Sequence, residues 1–172
     1  KFRGLNLFMS ERLECSLCHS GFNFSQFVTH DSSRIEERAF HNTGLYFPDD
    51  PSAPLFDFGL QRITSQTADR YKFKAPTLRN IDRTAPYMHD GSLATLSDVL
   101  DFYGAGGRNI AEGPWRGDGR RSPGKSPFVK GFSLSEEEKA DVIAFLRSLT
   151  DEEFLSRAEL ANPQPEKEAR DQ

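Results

Sequence analysis

The 172-residue chain is short of several things at once: two cysteines, two methionines, one tryptophan and four histidines. Both cysteines fall in one C-x-x-C, at Cys15 and Cys18. No second pair exists to complete an all-cysteine zinc site or a disulfide framework. No apolar run approaches the ~20 residues that a membrane helix needs, so membrane insertion is not expected. There is no basic surplus either. Net charge is −4, the segment 151–172 holds the acidic excess, and the remainder is balanced. A general attraction to nucleic acid or to an anionic membrane is thereby excluded. Internal repeats and strand-like alternation are absent as well, which points to an all-α chain with long irregular loops.

What is present is aromatic and punctuated. Fifteen Phe residues occur in a chain whose mean hydropathy is only −0.63. Residues 4–14 predict a helix, with Leu5, Phe8, Met9 and Leu13 at spacings of three and four. Residues 20–70 and 75–92 are broken by Pro48, Pro51, Pro54, Pro76, Pro86 and scattered glycines, and read as loops. Thr95 or Ser97 can cap a helix with Leu96, Val99, Leu100 and Tyr103 on its apolar face. The stretch 104–131 holds eight Gly, three Pro, six basic and two acidic residues, and reads as a solvated loop. Ser135 and Glu138 form a capping box ahead of Val142, Ile143, Phe145, Leu146 and Leu149. A charged tail, 151–172, follows a domain of residues 1–150, and its Pro163 and Pro165 predict fraying.

Cys15, Cys18 and His19 make C-x-x-C-H, the signature of covalent haem attachment. Each thiol can add to one vinyl group of the same porphyrin, and the following imidazole can then bind the iron. A large buried porphyrin also accounts for the phenylalanines that would wall it. The rival zinc reading would need two further ligands that are not cysteines, and a thioredoxin-like motif would want a preceding strand where an amphipathic helix is predicted. The sixth iron ligand is left open by the residues alone. Met88 suits the common His/Met arrangement of electron carriers. Met9, His30, His41, His89 and Tyr103 are the other candidates, and an open position is the last. Because bacteria attach haem to such motifs outside the cytoplasm, the motif implies a periplasmic protein.

A longer pattern is more selective than the haem motif. It runs Phe73-Lys74-Ala75-Pro76-Thr77-Leu78-Arg79-Asn80 and continues Thr84-Ala85-Pro86-Tyr87-Met88-His89-Asp90-Gly91-Ser92. With supporting stretches at 4–21, 98–107 and 133–150, it resembles the C-terminal haem domain of the bacterial diheme cytochrome c peroxidase and MauG family. The resemblance implies a cytochrome c-like domain with one haem c, whose enzyme carries a second haem in an N-terminal domain, with calcium between the two. The opening Lys1-Phe2-Arg3-Gly4 reads as the interior of such a longer chain.

The resemblance also implies roles for particular residues. The distal ligand lies fourteen residues after the His of the H-D-G motif, which from His89 is Tyr103. Tyrosine there marks the MauG-like branch, whereas the peroxidases place methionine. Thr84 and Pro86 would offer backbone carbonyls to the calcium, a hard cation suited to oxygen donors. Arg79 would pair with a haem propionate. Trp115 matches no family position and is expected to pack on the surface. In the complete enzyme, hydrogen peroxide reacts at the first haem, and the second relays oxidising equivalents to or from a redox partner, a protein or a small donor. The alternative is a self-sufficient monohaem electron carrier ligated by Met88.

Overall fold

The computed structural model describes residues 1–27, 40–53 and 57–160. His30, Pro54, Pro163 and Pro165 lie outside the described residues. Helix α1 spans Phe2–Phe8 and is shorter than its apolar spacing predicts. Ser10 accounts for the early stop: its hydroxyl donates to the Leu7 carbonyl at 2.6 Å, offering the backbone a local alternative to another helical turn. The chain then turns through Leu13 to a single 3-10 turn at Cys15–Leu17. The haem motif therefore sits beyond the helix rather than on it.

Between residues 20 and 95 regular structure is sparse. A one-turn helix, α2, spans Gln61–Thr64, and isolated bridges pair His41 with Phe73 and Tyr87 with Leu93. Helix α3, Leu96–Gly104, starts on Thr95, which makes a complete capping box with Asp98; Ser97 lies inside the helix. Two short strands, β1 (Asn109–Ile110) and β2 (Gly117–Asp118), pair antiparallel and are a small addition to the all-α expectation. Helix α4, Glu136–Arg147, begins on the expected Ser135–Glu138 box, and a short α5 follows at Glu152–Ser156. Asp151 caps α5, so the part of the tail described here starts ordered.

The main core is where α1 crosses α4. Val142 is 0% exposed, and Phe8 meets Phe145 at 5.2 Å between ring centroids while Phe24 closes the group at 6.0 and 5.8 Å. Leu78, Tyr87, Leu96 and Leu100 complete this core, tying α3 to it. A second cluster forms around Leu45, Tyr46 and Phe102, with Met88, Leu93, Tyr103 and Ile110 packed against it. Large apolar side chains removed from water at about 25 cal/mol per Å² are the main stabilising term in both.

The glycine-rich stretch is solvated along 111–116, as its composition predicts, but is anchored at other points. It folds back on residues 41–48, burying Ser122, Ser126 and Val129. Asn42, 1% exposed, holds it: the amide donates to Ser122 Oγ at 2.9 Å, its oxygen accepts from Gly44 N at 2.9 Å, and its carbonyl accepts from Ser126 N at 2.8 Å. The backbones approach so closely that a Cβ on Gly119 would sit 2.0 Å from the Gly44 carbonyl oxygen, which only glycine avoids. Asn42→Ala leaves the Gly44 N–H and the Ser122 hydroxyl short of a partner in a buried place. A loss of roughly 1–3 kcal/mol per unsatisfied group is expected, read as a lower denaturant midpoint. An unchanged midpoint would show that the loop is held by other means.

Candidate haem site

The motif is assembled by the two stretches that follow it. Glu14, in the left-handed region at φ 56°, turns the chain into Cys15–Leu17. His19 N then donates to the Cys15 carbonyl at 3.0 Å. The His19 ring is fixed from both sides, with Nδ1 lying 3.1 Å from the carbonyl oxygens of Phe24 and Pro76. A carbonyl can only accept, so Nδ1 carries the proton and Nε2 keeps its lone pair. Burial pushes the imidazole below its ordinary range, against the opposing pull of the two carbonyls, which favours the neutral, ligating form. Hydrogen bonding at one ring nitrogen to aim the other is the usual second contact of a metal-bound histidine.

The Pro76 run is explained by this arrangement. Ala75 accepts from the Ser25 hydroxyl at 2.8 Å, Thr77 donates to the Asn23 carbonyl at 2.6 Å, and Arg79 donates to the Phe22 carbonyl at 3.0 and 2.6 Å. The Arg79 guanidinium also lies over the Phe22 ring at 4.7 Å and the Phe24 ring at 5.3 Å. Residues 75–79 thus clip the loop 22–25 in place beneath His19. Sequence reading missed this role for Phe24, Ser25 and Thr77. The visible signal was the close sequence run 73–80 without any apolar period of its own.

The sulfur side is apolar. Burial pushes the Cys15 thiol up to about 12 and raises that of Cys18 as well. Tyr103, the penultimate residue of α3, is brought within electrostatic reach of both: burial first, then the Cys18 and Cys15 thiols, push its hydroxyl well above the ordinary phenol range. Met88 is packed in the same cluster as Tyr103. Met9 is not part of this group and is exposed. His89 stacks on Phe73 at 3.8 Å with planes 12° apart. His41 lies near enough to His19 to disfavour its protonation, and its Nε2 is buried without a partner among the described residues.

Two thiols, an imidazole whose Nδ1 carries the proton and a ring nitrogen of His41 left without a partner among the described residues fit a c-type haem. Thr84 immediately precedes the cis Ala85–Pro86 peptide, and Thr84 and Pro86 are exposed. Their carbonyls accept no hydrogen bond among the described residues. Among those residues no group of three or more His, Cys, Asp or Glu side chains converges on a metal position. Nor is any helix among them long and apolar enough to cross a membrane. Trp115 is 41% exposed and packs edge-on against Tyr46 at 6.1 Å.

No protein-family model matches the chain. It is 37% identical over 147 residues to the methylamine utilization protein MauG of Methylorubrum extorquens, covering 86% of this chain and 33% of that protein. It is 33% identical over 167 residues to a cytochrome-c peroxidase of Pseudomonas sp. strain SCT, covering 89% of this chain and 40% of the relative. A solved MauG-like protein associated with microbial copper homeostasis matches with TM-score 0.87 and 46% identity, over 94% of this chain and 50% of that one. The chain thus spans between a third and a half of the length of these proteins. Identities of 33–46% extending over 86–94% of its residues, together with the close agreement of its fold, mean that it belongs to the diheme cytochrome c peroxidase and MauG family.

Proposed function

We propose that residues 1–150 are the second, C-terminal haem domain of a periplasmic diheme peroxidase-type oxidoreductase of the MauG-like branch, followed by a charged tail, 151–172. The observation that carries this reading is the buried His19 ring, directly after Cys15 and Cys18, whose Nδ1 is held 3.1 Å from the Phe24 and Pro76 carbonyl oxygens. A haem held here supplies reversible one-electron iron chemistry. Cys15 and Cys18 bond it covalently, and His19 is its proximal ligand, held neutral by burial and aimed by the Phe24 and Pro76 carbonyls.

Tyr103 is the distal ligand in this proposal. Its buried hydroxyl keeps its proton unless a cation compensates the phenolate, and ferric iron is such a cation. A hard anionic oxygen then favours the oxidised metal and lowers the potential. Arg79 uses part of its five-donor fork on Phe22, and the remainder is available to a propionate. The exposed carbonyls of Thr84 and Pro86 are two calcium donors, and further ligands come from the N-terminal haem domain. Hydrogen peroxide reacts at that other haem, and the present domain relays oxidising equivalents to or from a redox partner, a protein or a small donor. The 46% identity with a MauG-like protein favours that branch.

Met88 gives the competing reading, a monohaem carrier with His/Met ligation, because it packs beside Tyr103. Absorption of the ferric haem-loaded protein separates the two. Tyr103→Phe is expected to change the spectrum and raise the potential, while Met88→Ala leaves both near the parent values. A methionine-to-iron charge-transfer band that vanishes in Met88→Ala and survives in Tyr103→Phe overturns the tyrosine assignment.

A further inference from the structure

The two carbonyls behind His19 belong to segments that no regular pairing joins. Among the described residues, no backbone–backbone hydrogen bond links 22–25 to 75–79. Pro76 has no N–H to offer, so a backbone ladder could not run through it. Two side-chain hydroxyls take its place. Thr77 donates to the Asn23 carbonyl at 2.6 Å, and Ser25 donates to the Ala75 carbonyl at 2.8 Å. The pairs run antiparallel, 23 with 77 and 25 with 75. They enclose the position where the Phe24 and Pro76 carbonyl oxygens each lie 3.1 Å from His19 Nδ1.

Both hydroxyls are aimed in the same way. Ser25 Oγ accepts from Phe27 N at 3.2 Å, and Thr77 Oγ1 accepts from Arg79 N at 3.1 Å, each two residues further on. A hydroxyl has one proton, and with a lone pair held by its own segment, that proton turns to the other segment. Ser25 and Ala75 are buried, so water does not compete for the bond between them. Phe24 needs such fixing. Its φ of 49° lies in the left-handed region, which a phenylalanine keeps only when its surroundings oblige it.

We infer that Ser25 and Thr77 are positioning residues that hold the Phe24 and Pro76 carbonyls together on His19 Nδ1 and thereby set the reduction potential of the haem iron. The inference rests on the haem reading of residues 15–19 and is independent of which side chain is the distal ligand. An imidazole whose Nδ1–H is drawn to two carbonyl oxygens is a stronger donor through Nε2. A stronger donor favours ferric over ferrous iron. With either hydroxyl removed, one carbonyl drifts from the shared proton, donation weakens, and the equilibrium moves toward ferrous iron.

The test is a spectroelectrochemical titration of the full-length haem-loaded protein. Thr77→Val, which keeps the branched shape and removes the hydroxyl, is expected to lower the ferric-to-ferrous ratio at fixed ambient potential at least three-fold. For one electron that is a rise of about 28 mV, at about 59 mV per tenfold. Ser25→Ala is expected to shift the ratio in the same direction by at least three-fold. Thr77→Ser restores the hydroxyl and is expected to stay within three-fold of the parent. A second haem carried by the enzyme keeps its parent potential in every variant and is the internal control. A shift below three-fold in either Thr77→Val or Ser25→Ala, with haem attached, overturns the inference alone. So does a Thr77→Ser protein displaced as far as Thr77→Val. If one variant loses its haem, the other decides by the same criterion. Loss from both also overturns the inference, because a positioning role leaves attachment to Cys15 and Cys18 intact. Absence of covalent haem from the unsubstituted protein, read by intact mass, overturns the haem reading and the inference with it.

Discussion

Cys15→Ala combined with Cys18→Ala is expected to abolish covalent haem altogether: after denaturation, the intact mass of the double variant lacks one haem relative to the parent. Each single variant keeps one thioether and so retains the haem through denaturation. The expectation follows from how the site divides its work. In the proposed site the two sulfurs anchor the haem, while the imidazole is placed independently by the Phe24 and Pro76 carbonyls. The double variant therefore keeps a ligating Nε2 and is expected to bind haem reversibly, with the group lost to acid and organic solvent. Stability falls too, because a group bound only by the native state stabilises it by mass action, and reversible binding makes that contribution concentration-dependent. A double variant that retains haem through denaturing extraction would mean that the cysteines are not the attachment points.

Gly4→Ala is expected to be the most destabilising single methyl group in the chain. Gly4 lies within α1 where that helix crosses α4, and an added Cβ would lie 1.9 Å from the Asp141 carbonyl oxygen and 2.9 Å from Phe145 Cβ. Neither neighbour is the end of a flexible side chain, so the helices themselves must separate. Overpacking alone costs about 1–3 kcal/mol. Separation also loosens Phe8 from Phe145 and Phe24, and full loss of such a phenylalanine's packing is on the scale of 3–5 kcal/mol. A loss of about 3 kcal/mol corresponds to a Tm lowered by roughly 6–12 °C for a chain of this size. Asn6→Ala, on the exposed side of the same helix, is the control and is expected to change Tm little. Equal Tm values for the two variants would show that the α1–α4 crossing is not close-packed.

The parts of this protein written locally were legible before any fold was known. C-x-x-C-H needs only five consecutive residues, because both sulfurs and the imidazole reach one planar group from a single turn. The Ser135–Glu138 box likewise closes within one helical turn, so residue spacing suffices to find it, whereas Thr95 and Ser97 stayed equal candidates for the α3 cap until the fold showed Thr95 paired with Asp98. The length of α1 was misread because the apolar period continues to Leu13, whereas Ser10 ends the helix through its own hydroxyl.

What only the tertiary structure decided is how distant segments meet. Residues 104–131 look solvated by composition, since glycine, proline and charge dominate them. The burial of Ser122 and Ser126 within them depends on Asn42, some eighty residues away from Ser122, and on glycines that let two backbones touch. The tautomer of His19 likewise depends on Pro76, 57 residues further on. Tyr103 could be singled out only by likeness to a family, because nothing in its neighbours distinguishes an iron-facing phenol from a core tyrosine. Its nearness to Cys15 and Cys18 exists only once α3 has docked. Five consecutive residues were enough to locate the C-x-x-C-H motif and to point to haem. The carbonyls behind His19 and the anchoring of residues 122–126 on Asn42 are set by long-range packing, because hydrogen bonds between segments leave no period in the chain.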